Sequence, residues 1–218
     1  MHIAIDGPSG AGKSTVAKRL ARDLNCIYLD TGAMYRTVGL MALRAGVDTH
    51  DDAALSALVR GADIQVKLEK DGQHMLLDGE DVEGLIRTQE VSMAASDVAS
   101  CPSVRHELVK MQQAIAAVND VVMDGRDIGT SVLPNAEYKF FLNAAPEVRA
   151  RRRFLELQAK GDKTPYEEVL KDVILRDEQD TTRKESPLRM AEDATQVTTD
   201  DLNVDEVVQV LMMLTGQF

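Results

Sequence analysis

The chain alternates short apolar runs with longer stretches whose apolar residues recur every three or four positions. The short runs predict buried strands, and the longer stretches predict amphipathic helices, the first of which carries Val16, Leu20 and Leu24 on one face. Because the helices fall between the strands, we expect a parallel sheet with helices on both faces. The runs that predict strands lie at 3–5, 26–30, 121–124, 136–142 and, more weakly, 195–198.

One segment, at about 62–84, breaks this alternation. Apolar residues at 64, 66 and 68 alternate with polar ones, and the dipeptides Asp71-Gly72 and Asp78-Gly79 are hairpin turn signals. Two more short strands are expected at His74–Leu77 and around Val82. We interpret the segment as a small antiparallel β insert within a single domain that spans residues 1–218.

The remaining helices are predicted from the same periodicity. One of them continues its apolar stripe with Arg176, Asp180 and Arg183 at i, i+4 and i+7, and charges that prolong an inward stripe are expected to line a cleft. The apolar part of that stripe is Tyr166, Val169, Leu170, Val173 and Ile174. The other helices are expected at 51–60, 88–98 and 103–118, from 146 onward, and at 204–212.

Charge, hydropathy and cysteine content argue against several classes of function and location. The formal net charge of -11 argues against non-specific nucleic-acid binding, which requires a basic surface. No apolar run is long enough to span a bilayer, and the first strand begins directly after Met1, so we expect no cleavable signal. Cys26 and Cys101 lack metal-ligand spacing and suggest buried thiols in a reducing cytoplasm, with pairing between them as the alternative.

The stretch at 7–15, G-P-S-G-A-G-K-S-T, fits the phosphate-binding pattern G-x-x-x-x-G-K-[ST] between a predicted strand and a predicted helix. Backbone N–H groups of such a loop surround phosphate oxygens, and the helix dipole adds to the attraction. Lys13 is expected to reach the β- and γ-phosphates of a nucleoside triphosphate, and the Ser14 hydroxyl to bind Mg²⁺. The alternative is a glycine-rich turn without a ligand. The nucleotide-binding residues would be Gly7, Pro8, Ser9, Gly10, Ala11, Gly12, Lys13, Ser14 and Thr15.

Acidic residues close two of the predicted strands. Asp124 ends a buried strand, as do the acids that hold Mg²⁺ or its water shell in P-loop enzymes, although a carboxylate capping a strand end is the alternative. Asp30 ends another strand and precedes Thr31, and either residue alone would suit a helix N-cap. Arg36, one turn later, favours a binding role for this group, because ligands of open parallel sheets lie beyond the strand carboxyl ends.

A cluster of arginines follows Pro146 in this acidic chain. Two interpretations remain open: a solvated charged face, or a mobile cap that brings guanidinium groups onto transferring phosphates. The cluster comprises Arg149, Arg151, Arg152 and Arg153.

Together these motifs resemble the bacterial cytidylate kinases, which are P-loop nucleoside monophosphate kinases. The resemblance covers almost the whole chain and rests on I-D-G-P-S-G-A-G-K-S-T (5–15), D-T-G-A-M-Y-R (30–36), D-G-E-D-V (78–82), I-R-T-Q-E-V (86–91), D-G-R-D-I-G-T (124–130) and R-D-E-Q-D-T-T-R (176–183). It implies an α/β fold with a five-stranded parallel core, an acceptor-binding insert and an arginine-bearing helical lid at about 149–166. It also implies transfer of the γ-phosphoryl of ATP to CMP or dCMP.

The resemblance assigns roles to individual residues. Arg36, Arg126 and Arg183 would hold the acceptor phosphate, beside Thr31. Ser96, Arg105 and Asp127 would contact the cytosine edge, and Arg176 with Asp180 would hold the sugar. Lys13, Arg126, Arg152 and Arg153 would neutralise charge during transfer, with Mg²⁺ at Ser14 and Asp124.

The chain shows no constellation of a general base and a nucleophile, and a nucleotide phosphate needs none because it is largely ionised at neutral pH. Two alternatives remain: a P-loop kinase for UMP, AMP or a metabolite such as shikimate, and a GTP-binding switch, although the guanine motif N-K-x-D is missing. We expect a cytoplasmic monomer with neither nucleic acid nor membrane as partner.

Overall fold

The computed structural model describes residues 1–69 and 72–216, which form two compact units. Of these residues, one unit comprises 1–26 and 122–216, and the other comprises 27–69 and 72–121. The strands of the described part are β1 (His2–Asp6), β2 (Ile27–Asp30), β3 (Ile64–Glu69), β4 (Gly72–Leu77), β5 (Glu80–Asp81), β6 (Val121–Gly125), β7 (Tyr138–Asn143) and β8 (Thr195–Thr198).

Helices alternate with these strands, as the periodicity predicts. Their bounds are α1 (Lys13–Asp23), α2 (Thr31–Ala45), α3 (Asp52–Gly61), α4 (Gln89–Val98), α5 (Pro102–Ala116), α6 (Pro146–Ala159), α7 (Tyr166–Thr182) and α8 (Val204–Thr215). No helix in residues 1–69 and 72–216 has both the length and the apolar composition that crossing a membrane requires.

The larger sheet confirms the predicted five-stranded parallel core. Its strand order is β2-β6-β1-β7-β8. In the first unit, β1 pairs with β7 through Ile3 and Tyr138, and β7 pairs with β8 through Phe140 and Thr195, both in parallel. Parallel strands bring their carboxyl ends to one edge of the sheet, so the segments after β1 and β6 leave the sheet at the same edge.

The smaller sheet confirms the antiparallel insert. Its order is β3-β4-β5, with Ile64 opposite Leu77 and Leu77 opposite Glu80. Asp78 and Gly79 both have positive φ, 51° and 83°, as a tight two-residue hairpin loop requires. The other predicted turn is only partly visible, because Asp71 lies outside the described residues.

Each unit has its own apolar cluster. In the second unit, Met34, Leu55, Met75 and Leu108 are fully buried between helices and the small sheet. In the first unit, α6 and α7 pack through Ala150, Val169 and Val173, with Phe154 and Tyr166 edge to face at 6.0 Å. The prediction that Ile174 belongs to this stripe is wrong, because its side chain is half exposed. Ile174 directly follows Val173, and the turn of the helix between the two residues directs its side chain away from α6.

A single turn of π-helix at Ile128–Val132 follows β6 and the Gly125-Arg126-Asp127 segment. It is closed by two bonds of i+5 spacing, from Val132 N–H to the Asp127 carbonyl and from Leu133 N–H to the Ile128 carbonyl. The sequence does not predict this turn. π-turns are rare and are frequent at functional sites.

Candidate active site

The loop between β1 and α1 has the backbone that its sequence pattern predicts. Gly7 and Gly12 adopt φ of 144° and 87°, values that residues with a Cβ rarely adopt. A Cβ at Gly7 would also lie 2.0 Å from the carbonyl oxygen of Leu142 on β7. Gly12 is the N-cap of α1, so the loop ends at the positive end of that helix. Thr15, the last residue of the pattern, is exposed.

Lys13 lies buried at the first position of α1. Its Nζ donates a 2.7 Å hydrogen bond to the carbonyl oxygen of Pro8 within the loop. Burial and the positive charge of Arg126 lower the pKa of Lys13 to about 7, although Asp124 and Asp180 favour its charged form. Additional negative charge near Lys13 would therefore stabilise the protonated form of its amino group.

Ser14 and Asp124 come together, although 110 residues separate them in the sequence. The Ser14 hydroxyl donates to Asp124 Oδ2 over 2.8 Å. Asp124 is buried at the end of β6. A hydroxyl and a carboxylate oxygen are the hard ligands that Mg²⁺ prefers. Both residues proposed for metal binding thus lie beside the phosphate loop.

Asp6, at the end of β1 directly before the phosphate loop, is a candidate site residue that the sequence does not single out. Its carboxylate accepts hydrogen bonds from the N–H groups of Ile128 (2.8 Å) and Gly129 (2.7 Å) in the π-turn. Burial raises its pKa to about 6, and the two backbone bonds oppose this shift only in part. The available signal was an acid that closes a buried strand directly before Gly7.

Arg126, Asp180 and Arg183 form a charged cluster in which Asp180 is buried and the two arginines are partly buried. Arg126 Nε donates to Asp180 Oδ2 over 2.6 Å, and Arg183 lies 3.9 Å from both Asp180 and Asp127. Burial alone would raise the pKa of Asp180, but Arg126 and the nearby Arg176 outweigh burial and hold it below its usual value. The structure therefore brings together all the predicted substrate-binding residues of the first unit.

The arginines of α6 separate into distinct environments. Arg149 is buried, and its guanidinium bonds the carbonyl oxygens of Ala144 and Ser9 and both carboxylate oxygens of Asp177. Arg152 donates to Thr199, whose hydroxyl donates to the Ala11 carbonyl in the phosphate loop. These two residues anchor the loop.

The other two arginines of α6 face outward. Arg151 is exposed, with its guanidinium 6.0 Å from the Phe154 ring. Arg153 contacts Glu156 at 3.4 Å on the partly exposed side of the helix. Arg151, which faces outward, and Arg152, which anchors the loop, are therefore adjacent in the sequence.

In the second unit, Asp30 is the N-cap of α2, one of the two roles that the sequence allowed. The N–H of Ala33 donates to its Oδ1 over 2.9 Å, and Arg36 donates to its Oδ2 over 2.8 Å. Thr31 follows and is buried. Capping and pairing with Arg36 are therefore combined in a single carboxylate.

Ser96 and Arg105 belong to α4 and α5 of the same unit. The Ser96 hydroxyl donates weakly to the Ser92 carbonyl at 3.4 Å. Arg105 is buried, donates to the Ala99 carbonyl over 3.2 Å and lies 5.5 Å from the centre of the Tyr35 ring. A buried guanidinium held against an aromatic face has little freedom to move.

In the part of the chain that the structure describes, no group of three or more His, Cys, Asp or Glu residues could hold a metal ion. Mg²⁺ bound with phosphates needs only one or two protein ligands.

Comparison with known proteins gives one family. The cytidylate kinase family model matches residues 3–217. The cytidylate kinase of Caldicellulosiruptor bescii is 51% identical over 214 residues, covering 98% of this chain and 95% of the relative. That of Carboxydothermus hydrogenoformans is 50% identical over 217 residues, covering 100% of this chain and 98% of the relative.

Among solved structures, shikimate kinase from Bacteroides thetaiotaomicron has a TM-score of 0.50 at 17% identity, covering 99% of this chain and 98% of its own. That likeness shows the fold alone. Family membership rests instead on the match across nearly the full sequence, which includes the phosphate loop and the segment after β6. The chain belongs to the cytidylate kinase family.

Proposed function

We propose that the protein transfers the γ-phosphoryl of ATP to CMP or dCMP, giving ADP and CDP or dCDP, in pyrimidine nucleotide metabolism. The proposal rests on one observation: over almost its full length, the chain is 51% and 50% identical to two relatives named cytidylate kinase. Such identity extends well beyond the phosphate loop, which many kinase families share.

The donor site is residues 7–15, whose backbone N–H groups and Lys13 would bind the phosphates of ATP. Mg²⁺ fits the oxygen donors of Ser14 and Asp124, which are already within 2.8 Å of each other. When bound there, Mg²⁺ would neutralise negative charge on the phosphates. Lys13 supports the same task, because added anions favour its protonated form.

Contacts with the acceptor nucleotide are proposed for each unit separately. In the first unit, Arg126 and Arg183 bind the phosphate, Arg176 and Asp180 bind the sugar, and Asp127 contacts the cytosine. The pairing of Asp180 with Arg126 supports this assignment, since it fixes a guanidinium that carries five donors.

In the second unit, Arg36 and Thr31 bind the acceptor phosphate, and Ser96 and Arg105 contact the cytosine. The insert contributes to acceptor binding. Arg105 suits this role because its guanidinium is held by Ala99 and Tyr35.

An ionised oxygen of the acceptor phosphate attacks the γ-phosphorus, and the bond from that phosphorus to the β-γ bridging oxygen breaks, leaving ADP. The attacking phosphate is ionised at neutral pH, so the protein need not remove a proton. Lys13 and Arg126 stabilise the charge that shifts toward the bridging oxygen, and Arg152 and Arg153 join them when the helix that carries them moves onto the phosphates. A lid at about 149–166 excludes water, which would otherwise accept the phosphoryl group.

The protein acts in the cytoplasm as a monomer on small molecules, with neither nucleic acid nor membrane as partner. The net charge of -11 supports the exclusion of nucleic acid, because a polyanion would be repelled.

The experiment is ADP release from ATP and Mg²⁺ with CMP, dCMP, UMP, AMP, GMP and shikimate offered separately. We expect rapid release with CMP and dCMP and little with the others. Preferential turnover of another acceptor would overturn the cytosine assignment. Hydrolysis without any acceptor, together with a preference for guanine nucleotides, would support a nucleotide-binding switch instead.

A further inference from the structure

Asp30 carries more contacts than a helix cap needs. Besides the capping bond from Ala33, its Oδ2 accepts from Arg36 over 2.8 Å and from Arg87 over 3.1 Å. The carboxylate is almost completely buried. Asp51, which caps α3 through Ala54 at 3.0 Å, is exposed and shows what capping alone requires.

The backbone of Asp30 is fixed as well. Gln73 on β4 accepts a hydrogen bond from the Asp30 N–H at 2.8 Å and donates to the Asp30 carbonyl at 3.2 Å. The side-chain amide of Gln73 therefore hydrogen-bonds both backbone groups of Asp30. The insert is tied in this way to the residue that faces the two arginines.

Arg87 is held from a second direction. Its guanidinium also pairs with Glu83, one turn earlier in the chain. Burial would raise the pKa of Asp30, but Arg36 and Arg87 outweigh burial and lower it, so the carboxylate stays charged at neutral pH. Arg87, which Glu83 holds, and Arg36 thus donate to the same oxygen of Asp30, Oδ2.

The position between Asp30 and Arg36 is tight for a side chain. A Cβ at Gly32 would lie 3.0 Å from Arg36 Nη1 and 3.2 Å from Asp30 Oδ1. Gly32 has ordinary helical φ, so alanine would fit the backbone while pressing on the guanidinium. The glycine therefore lets the Arg36 guanidinium lie close to the helix backbone.

We propose that Asp30 is a positioning residue that orients the Arg36 guanidinium toward the acceptor phosphate, with Arg87 donating to the same carboxylate oxygen and helping to fix it. This inference rests on the proposed function, in which Arg36 binds that phosphate. It explains why a single buried carboxylate meets two guanidinium groups and a capping N–H.

The test is Asp30→Asn, because asparagine caps helices as well as aspartate does but has no charge to hold arginine. KM for CMP should rise at least about tenfold, and KM for ATP should stay within about twofold. The matched control is Asp51→Asn at the cap of α3, which should leave both values unchanged. Gly32→Ala serves as a second variant, because it raises helix propensity and yet brings a Cβ to 3.0 Å from Arg36 Nη1; we expect the guanidinium to shift and KM for CMP to rise here too.

A KM for CMP within about twofold of the wild type in both variants would overturn the inference. Equal rises in KM for CMP and ATP would also overturn it, since they would indicate general damage to the fold. Failure of the proposed function is distinguishable, because it would appear in the wild type as absent turnover of both CMP and dCMP.

Discussion

The Ser14 hydroxyl donates a 2.8 Å hydrogen bond to Asp124 Oδ2, so the first turn after the phosphate loop is joined to the end of β6. The bond makes the two oxygen ligands proposed for Mg²⁺ neighbours in space. Asp124→Asn keeps the shape of the side chain and removes its charge. We expect the Mg²⁺ concentration for half-maximal ADP formation to rise at least about tenfold.

Magnesium titration of enzyme activity measures this effect. Asp23→Asn is the control, because Asp23 is an acid at the end of the same helix that pairs with Arg19 and Arg22. An unchanged magnesium response in the Asp124 variant would contradict a metal role for that residue.

The lowered pKa of Lys13 predicts that ATP binding takes up a proton. Lys13 has a pKa of about 7 without added phosphate, and bound anions raise it. ATP affinity should therefore weaken as pH rises above about 7, the sign expected when the complex holds the proton more tightly. Calorimetry in buffers of different ionisation enthalpy counts the protons that are taken up on binding. At about pH 8 the γ-phosphate of free ATP is already ionised, so the uptake reports on the protein.

In Lys13→Met, binding should be weaker and proton uptake should disappear. Observed heats of wild-type binding that do not depend on the buffer would show that no proton is taken up, and the linkage would be rejected.

Arg149 and Arg151 should differ sharply in their effect on stability. Arg149→Met leaves Asp177 and the Ser9 carbonyl without a buried donor, and should lower the free energy of unfolding by about 2 to 4 kcal/mol. Arg151 is exposed, so Arg151→Met should change it by no more than about 0.5 kcal/mol. Denaturant unfolding compares the two, and equal losses would contradict the assignment of Arg149 as a buried anchor.

Gly39 should tolerate alanine poorly although it lies within a helix. A Cβ there would be 2.9 Å from the backbone nitrogen of Ala95, where α4 packs closely on α2. Gly39→Ala should cost about 1 to 3 kcal/mol of unfolding free energy, more than the helix propensity gained. At Gly61, the last residue of α3, a Cβ meets no atom within 4 Å, so Gly61→Ala should be neutral or stabilising. Equal effects of the two substitutions would refute the close packing of α4 on α2.

Periodicity and strand-end motifs predict most of the fold. The five-stranded core and the insert follow from local apolar patterns, and the phosphate loop follows from glycine positions that the φ angles of Gly7 and Gly12 confirm. The π-turn at Ile128–Val132 is different, because it depends on the carboxylate of Asp6, more than 120 residues away.

Side-chain roles that depend on distant partners could not be predicted either. The four arginines of α6 look alike in the sequence, yet Arg149 is buried because Asp177 and the Ser9 carbonyl meet it from elsewhere in the chain. Likewise, the contact of Asp30 with Arg87 spans 57 residues. Local patterns determine which residues lie in helices and strands, whereas these contacts depend on tertiary packing.

The most direct test of phosphoryl transfer to CMP follows the phosphoryl group itself. ATP labelled at its γ-phosphate is incubated with Mg²⁺ and CMP, and the products are separated. We predict that the label appears in CDP, with unlabelled ADP formed in equal amount, and that Lys13→Ala slows this transfer by orders of magnitude while circular dichroism remains native. Label recovered only as inorganic phosphate would contradict transfer to CMP, and equal transfer by the Lys13 variant would contradict the role of Lys13.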